Sequence, residues 1–138
     1  MVSEITTRKD IKNLVDSFYT KVRKDELIGP FFHKMIPIEK WPSHISKLTD
    51  FWETTLLGVP KFKGNPVKAH QNMDNTTNHS IEQEHFGRWL HLWFSTIDEL
   101  FTGDLADRAK NAARGIATGQ FLAIWNARPN KINIQNDK

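Results

Sequence analysis

The chemistry available to this chain is concentrated in Tyr19, His44, His70 and Trp89. An imidazole can ligate a metal, move a proton near neutral pH or swing as a gate. A phenol or an indole N–H inside a dry pocket can donate a hydrogen bond that gains strength from the low dielectric. Taken singly, each residue has a commoner structural meaning: His44 as a boundary residue, Tyr19 as a core ring with its hydroxyl at the surface, Trp89 as filler. His70 is the least ordinary, because it closes GNPVKAH, a turn-bounded segment among lysines, 26 positions after His44.

Composition narrows what these groups can do. There is no cysteine in the 138 residues, which removes disulfides, Cys-ligated zinc, iron–sulfur clusters and every thiolate or thioether attachment of haem. Any metal must be held by His, carboxylate or Tyr. Nucleophile elbows, glycine-rich phosphate loops, HExxH and paired carboxylates on a buried helical face are missing, so hydrolase and kinase chemistry is disfavoured. The net charge of +3 is a weak bias, and the lysines 61, 63 and 68 read as a solvated run without a recognition helix, so nucleic acid is not expected as a partner. Five Trp and nine Phe against one Tyr are unusual, and point to something large or flat that needs enclosing.

The elements that must position these groups are helical. Ile11, Leu14, Val15, Phe18 and Val22 recur at helical spacing, and Thr7 with Asp10 forms a capping-box signal, so a helix is expected over 8–24. Gly29-Pro30, Pro37 and Pro42 bound an aromatic corner around Phe31-Phe32-His33. From Ser43 a stripe of His44, Leu48, Phe51, Trp52, Thr55 and Leu56 runs to a stop at Gly58. Asn65-Pro66 starts a short helix that holds His70. Ser80 with Gln83 opens the strongest helix, whose apolar face runs from Phe86 through Trp89, Leu90, Trp93, Phe94 and Ile97 to Phe101.

After Thr102-Gly103-Asp104 a last helix buries Ala109, Ala113, Ile116, Ala117 and Leu122 and stops at Arg128-Pro129. Its Gly115 and Gly119 are expected to allow a close backbone approach. No strand is expected. One all-α domain over 1–138, with a polar tail over 128–138, accounts for the whole chain. No apolar run is long enough to span a bilayer and no signal peptide opens the sequence, so a cytoplasmic protein without a membrane partner is expected.

Four segments, LVDSFYTKVRKDELIGPFF, WPSHISKLTDFWETTLLG, KFKGNPVKAH and FGRWLHLWF, together resemble the truncated haemoglobins, most closely their third group. The resemblance runs from Ile11 to Trp125 and implies a shortened globin fold, two helices over two around haem b (iron protoporphyrin IX). It puts His70 at the axial position on the iron and Phe32 on the haem face. Tyr19, His44, Leu48 and Trp89 fall on the distal pocket, with Trp52 one turn beyond Leu48 and Trp93 one turn beyond Trp89 as further cofactor neighbours. Lys63, with Lys68, Arg88 or Lys47 as alternatives, is expected to meet the propionates. The glycine pairs of other truncated groups are missing, as is usual in the third, and the segment before His70 is recognisable only through GNPVKAH.

What the resemblance implies for function is reversible binding of dioxygen and other diatomic gases (O2, CO, NO) at a penta-coordinate iron, with Tyr19 and Trp89 as donors and His44 as a gate. Two alternatives stay open: a haem enzyme carrying out nitric oxide dioxygenation or peroxide chemistry with a reductase as partner, and a haem-free helical interaction module. A monomer or a weak homo-oligomer is expected.

Overall fold

A computed structural model describes residues 2–60, 74–75 and 80–128. Helix α1 spans Arg8–Lys24, with Thr7 as its cap: the Thr7 hydroxyl accepts from the Asp10 amide, and the Asp10 carboxylate accepts in return from the Thr7 amide. Its buried stripe is Ile11, Leu14, Val15, Phe18, Tyr19 and Val22, the spacing read from the sequence with Tyr19 added.

The corner that follows is more regular than its prolines suggest. Helix α2 runs Gly29–Met35, because Pro30 falls in the first turn, where its missing N–H costs nothing. Gly29 is required there: a Cβ would stand 3.0 Å from the Val22 carbonyl oxygen and 3.1 Å from that of Arg23. The close approach folds α2 back against the end of α1 and aims Phe31 and Phe32 inward. A 3-10 turn over Ile38–Lys40 leads into helix α3, Trp41–Leu57, which starts before the expected Ser43 because Pro42 also sits in a first turn. Gly58 ends it in the left-handed region, φ 74°, with its amide bonded to Thr54.

Helix α4 spans Gln83–Leu100 and helix α5 Asp104–Ala127. The cap of α4 differs from the expected Ser80–Gln83 pair: Glu82 is the cap and His85 its reciprocal partner, the Glu82 amide donating to His85 Nδ1 at 2.7 Å. Between α4 and α5, Phe101–Thr102 pairs in parallel with Ser3–Glu4, a two-residue ladder that no sequence pattern announced.

Helix α1 packs on α3 and across α4, while α4 pairs with α5, giving the two-over-two arrangement expected. Arg8 fastens α1 to α3 by bonding Asp50 at 2.7 Å and the buried Glu53 at 2.8 Å. The core between the pairs holds Ile11, Leu14, Phe18, Trp52, Trp93 and Ile97. Gly115 and Gly119 do not serve a close approach. Both are exposed, and nothing lies within 4 Å of the Cβ either would carry. Of the described helices, none is long and apolar enough to cross a membrane.

Candidate functional site

The structure brings Tyr19, Phe32, His44 and Trp89 together from four different helices. The Tyr19 ring meets Phe32 at 5.8 Å and His44 at 5.8 Å between centroids, both edge to face. Its hydroxyl is not at the surface. Burial drives the phenol strongly upward from its ordinary pKa, opposed in part by a hydrogen bond from Trp89, so at neutral pH the hydroxyl keeps its proton. An indole N–H is a donor and a phenol both donates and accepts, so both Trp89 and Tyr19 are able to donate here.

His44 is half-buried on α3 between Tyr19 and Trp41, whose ring stands 5.3 Å away, edge to face. Trp41 was passed over in the sequence because it sits between Lys40 and Pro42 in what looked like a corner. It is 4% exposed, and the Arg23 guanidinium lies 4.7 Å over its ring. That contact caps the outer side of the His44 position with a cation–π pair.

Leu48, Trp52 and Trp93 form the wall behind. Leu48 is half-buried against the core. Trp52 stacks on Trp93 at 4.6 Å, and Trp89 lies parallel to Trp93 at 6.4 Å and 4°. Trp93 has no exposed surface, and its Nε1 donates to the Ala109 carbonyl at 3.1 Å. It therefore supports Trp89 from behind and fastens α4 to α5, and does not itself line the open cleft.

An open cleft is lined by Ile28, Phe31 and Phe32 from the α2 region, by Ile81, His85, Phe86 and Trp89 from the α4 region, and by Ile116 of α5. Phe86 and Ile116 were legible as inner-face positions; Phe31 and His85 were not assigned to a site. Phe31 meets His85 at 4.7 Å, and because His85 Nδ1 accepts from Glu82, its Nε2 carries the proton. Beyond the cleft, Arg128 holds Asp74 through two bonds, Nε to Oδ2 at 3.1 Å and a second nitrogen to Oδ1 at 3.0 Å, while Asp74 also accepts from the Ile81 amide. Nothing in the sequence pattern connects residues so far apart.

His70 and Lys63, with Lys61, Lys68 and the start of the short helix at Asn65-Pro66, lie outside the described residues, as does the tail beyond Arg128. Of the other expected propionate partners, Arg88 is engaged with Asp25 at 2.8 Å, and Lys47 is exposed on α3. Among the described residues no group of three or more His, Asp or Glu could hold a metal ion.

An apolar cleft walled by flat rings is a shape for a flat apolar body. The bacterial-like globin family matches residues 3–112. Group 3 truncated hemoglobin ctb of Campylobacter jejuni is 31% identical over 120 residues, covering 86% of this chain and 91% of its own. The chain belongs to the group III truncated haemoglobins. The crystal structure of the group III truncated hemoglobin from Campylobacter jejuni superposes with a TM-score of 0.79 at 29% identity, over 90% of this chain and 95% of the other.

As a globin, this truncated haemoglobin is a haem-binding protein. Its residues fit that group in one respect the structure shows: the cleft is lined almost wholly by apolar side chains, as a macrocycle needs.

Proposed function

We propose that this truncated haemoglobin binds dioxygen and other diatomic gases reversibly on haem b, which His70 would hold through its imidazole and whose iron would take the gas. Haem, when bound, supplies a ferrous iron able to take a diatomic ligand. The residues of the chain supply the rest. Phe32 and Phe86 bracket the cleft, Ile28, Ile81 and Ile116 exclude water from it, and His44 gates access beside Tyr19. In a chain without cysteine a neutral imidazole is the fitting axial group.

The observation that carries this reading is the meeting of Tyr19, Phe32 and His44 from three helices, with Phe32 also lining the apolar cleft. Tyr19 is the buried phenol at this meeting, and a buried hydroxyl needs a partner for its proton. A gas that gathers negative charge on binding gives it one, and bonds to such charged acceptors are about twice as strong as neutral ones.

The test is the rate of oxygen release. With ~1.5–3 kcal/mol assigned to this bond, Tyr19→Phe is expected to speed release about ten- to a hundred-fold. Carbon monoxide, which gathers less charge, is expected to leave at nearly the same rate. An unchanged oxygen rate removes Tyr19 as the donor.

A further inference from the structure

His85 is the one titratable side chain among the eight residues that line the cleft, and the proposed gas chemistry does not use it. It stands half-buried in the first turn of α4. As the reciprocal partner of the Glu82 cap it fills a place that Glu or Gln ordinarily takes. Capping alone therefore does not call for an imidazole, which brings a second ring nitrogen to the cleft.

Two contacts fix that ring. The Glu82 amide donates to Nδ1 at 2.7 Å, and Phe31 meets the ring edge to face at 4.7 Å between centroids. A backbone amide can only donate, so Nδ1 presents its lone pair and the neutral ring carries its proton on Nε2. Nε2 then has no lone pair for a metal. His85 is a donor here, not an axial ligand, and among the described residues no acceptor takes its Nε2 proton.

The partner of such a donor must be an acceptor, and haem b brings two carboxylates. A carboxylate is costly to bury without water or a partner, so it belongs at the wet rim of an apolar cleft. His85 is half-buried at such a rim, where a helix begins. The neighbouring charges leave room for an anion: Glu82 is balanced by Arg128 at 3.6 Å, and Glu84 is exposed. Arg88, expected from the sequence to meet the propionates, is held instead by Asp25 at 2.8 Å.

We propose that His85 binds a propionate of the cofactor, its Nε2–H donating to the carboxylate while the Glu82 amide holds the tautomer. The proposal rests on the haem b reading above. His85 then does two jobs with one ring, starting α4 through Nδ1 and anchoring the edge of the cofactor through Nε2.

The test is the rate at which the full chain gives up its cofactor to an excess of a cofactor-free haem scavenger, followed optically. The chain is loaded either with haem b or with its dimethyl ester, whose esterified propionates carry no charge. His85→Leu is expected to speed the loss of haem b about ten-fold, the low end for a bond to a charged group because His85 is only half-buried. The ester is expected to leave less than about two-fold faster.

His85→Glu separates anchoring from capping, and also covers the case in which His85→Leu does not fold. It keeps an acceptor for the Glu82 amide but has no proton to give. It is expected to release haem b at least as fast as His85→Leu, with the ester little changed. His85→Gln, which has both an acceptor and an N–H, is expected to restore most of the retention.

Equal acceleration for haem b and its ester would show that the ring acts only through its packing on Phe31 or its cap, and overturns the proposal. So does an unchanged haem b rate in both His85→Leu and His85→Glu. An unsubstituted chain that takes up no haem b removes the haem b reading and this proposal with it, a result seen before any variant is compared.

Discussion

The two sides of the cleft are built differently. On the Tyr19 side, Phe18, Tyr19, Trp41, Trp52, Trp89 and Trp93 form one continuous ring-on-ring layer, with the cited contacts between 4.6 and 6.4 Å and the Trp93 indole bonded to Ala109. On the other side, Phe31 of α2, Ile81 and Phe86 of the α4 region and Ile116 of α5 leave an open apolar surface, fastened at its far end by the Arg128 ion pairs to Asp74 and Glu82 and holding the Gln120 amide oxygen without a partner. The first side is packed within the chain. The second is left open, so the ring layer is preorganised while the part that would hold the cofactor gains most when it arrives.

This contrast can be broken by substitutions on the finished side. The largest effect is expected for Trp93→Ala, which removes the middle of the indole stack and the bond to Ala109. A loss of ~3–5 kcal/mol in stability is expected for a buried aromatic of this size, read by denaturant unfolding of the cofactor-free protein. A loss below about 1 kcal/mol would show that the stack is not preformed. Next comes the Tyr19→Phe release rate described above, a functional effect with little loss of fold, because Phe retains the ring contacts.

Trp89→Phe sharpens the comparison further. On the proposed reading the Trp89 indole N–H acts through the Tyr19 phenol, strengthening a donor instead of being one. The expected gain in oxygen release rate is about two- to ten-fold, from a neutral bond worth ~0.5–1.5 kcal/mol, and it should vanish in the Tyr19→Phe background. Additive effects in the double variant would restore two independent donors.

The smallest effects are those of pH, and they separate the two sides by sign. Tyr19 titrates above its unfolded value, so it contributes stability that is whole below pH ~10 and is lost as pH rises beyond it. Asp25, at the start of the α2 corner, behaves oppositely. Burial pushes its carboxyl up, but the amides of Ile28 and Leu27 and the Arg88 guanidinium outweigh that and hold it below its ordinary value. Its contribution is present above pH ~4 and is lost as pH falls through the lowered pKa. Stability against pH is therefore expected to lose its alkaline decline in Tyr19→Phe and part of its acid decline in Asp25→Asn; the reverse assignment would contradict the geometry.

Much of this was legible in the sequence, and what was not has physical reasons. The bounds of α1 follow from periodicity and a capping box, both local signals, and Arg8–Lys24 is the span observed. The Pro30 and Pro42 corner was read as irregular because a proline breaks a helix interior, yet at a first turn it starts one. The resemblance supplied the positions of Tyr19, His44 and Trp89, and the structure added which rings meet: Tyr19 against Phe32 and His44, and His44 against Trp41, depends on α1, α2 and α3 coming together, which no spacing within one element records. Trp41, His85, Gln120 and the Asp74–Arg128 pair escaped for the same reason. Each takes its meaning from a partner on another element.

The measurement that bears most directly on the central claim is the optical spectrum of the haem-loaded protein, reduced and exposed to carbon monoxide, alongside His70→Ala. The expected result is a sharp, shifted Soret band that is lost in His70→Ala and restored by added imidazole. A spectrum no different from that of free haem in buffer would contradict it, and would leave the aromatic layer as core alone.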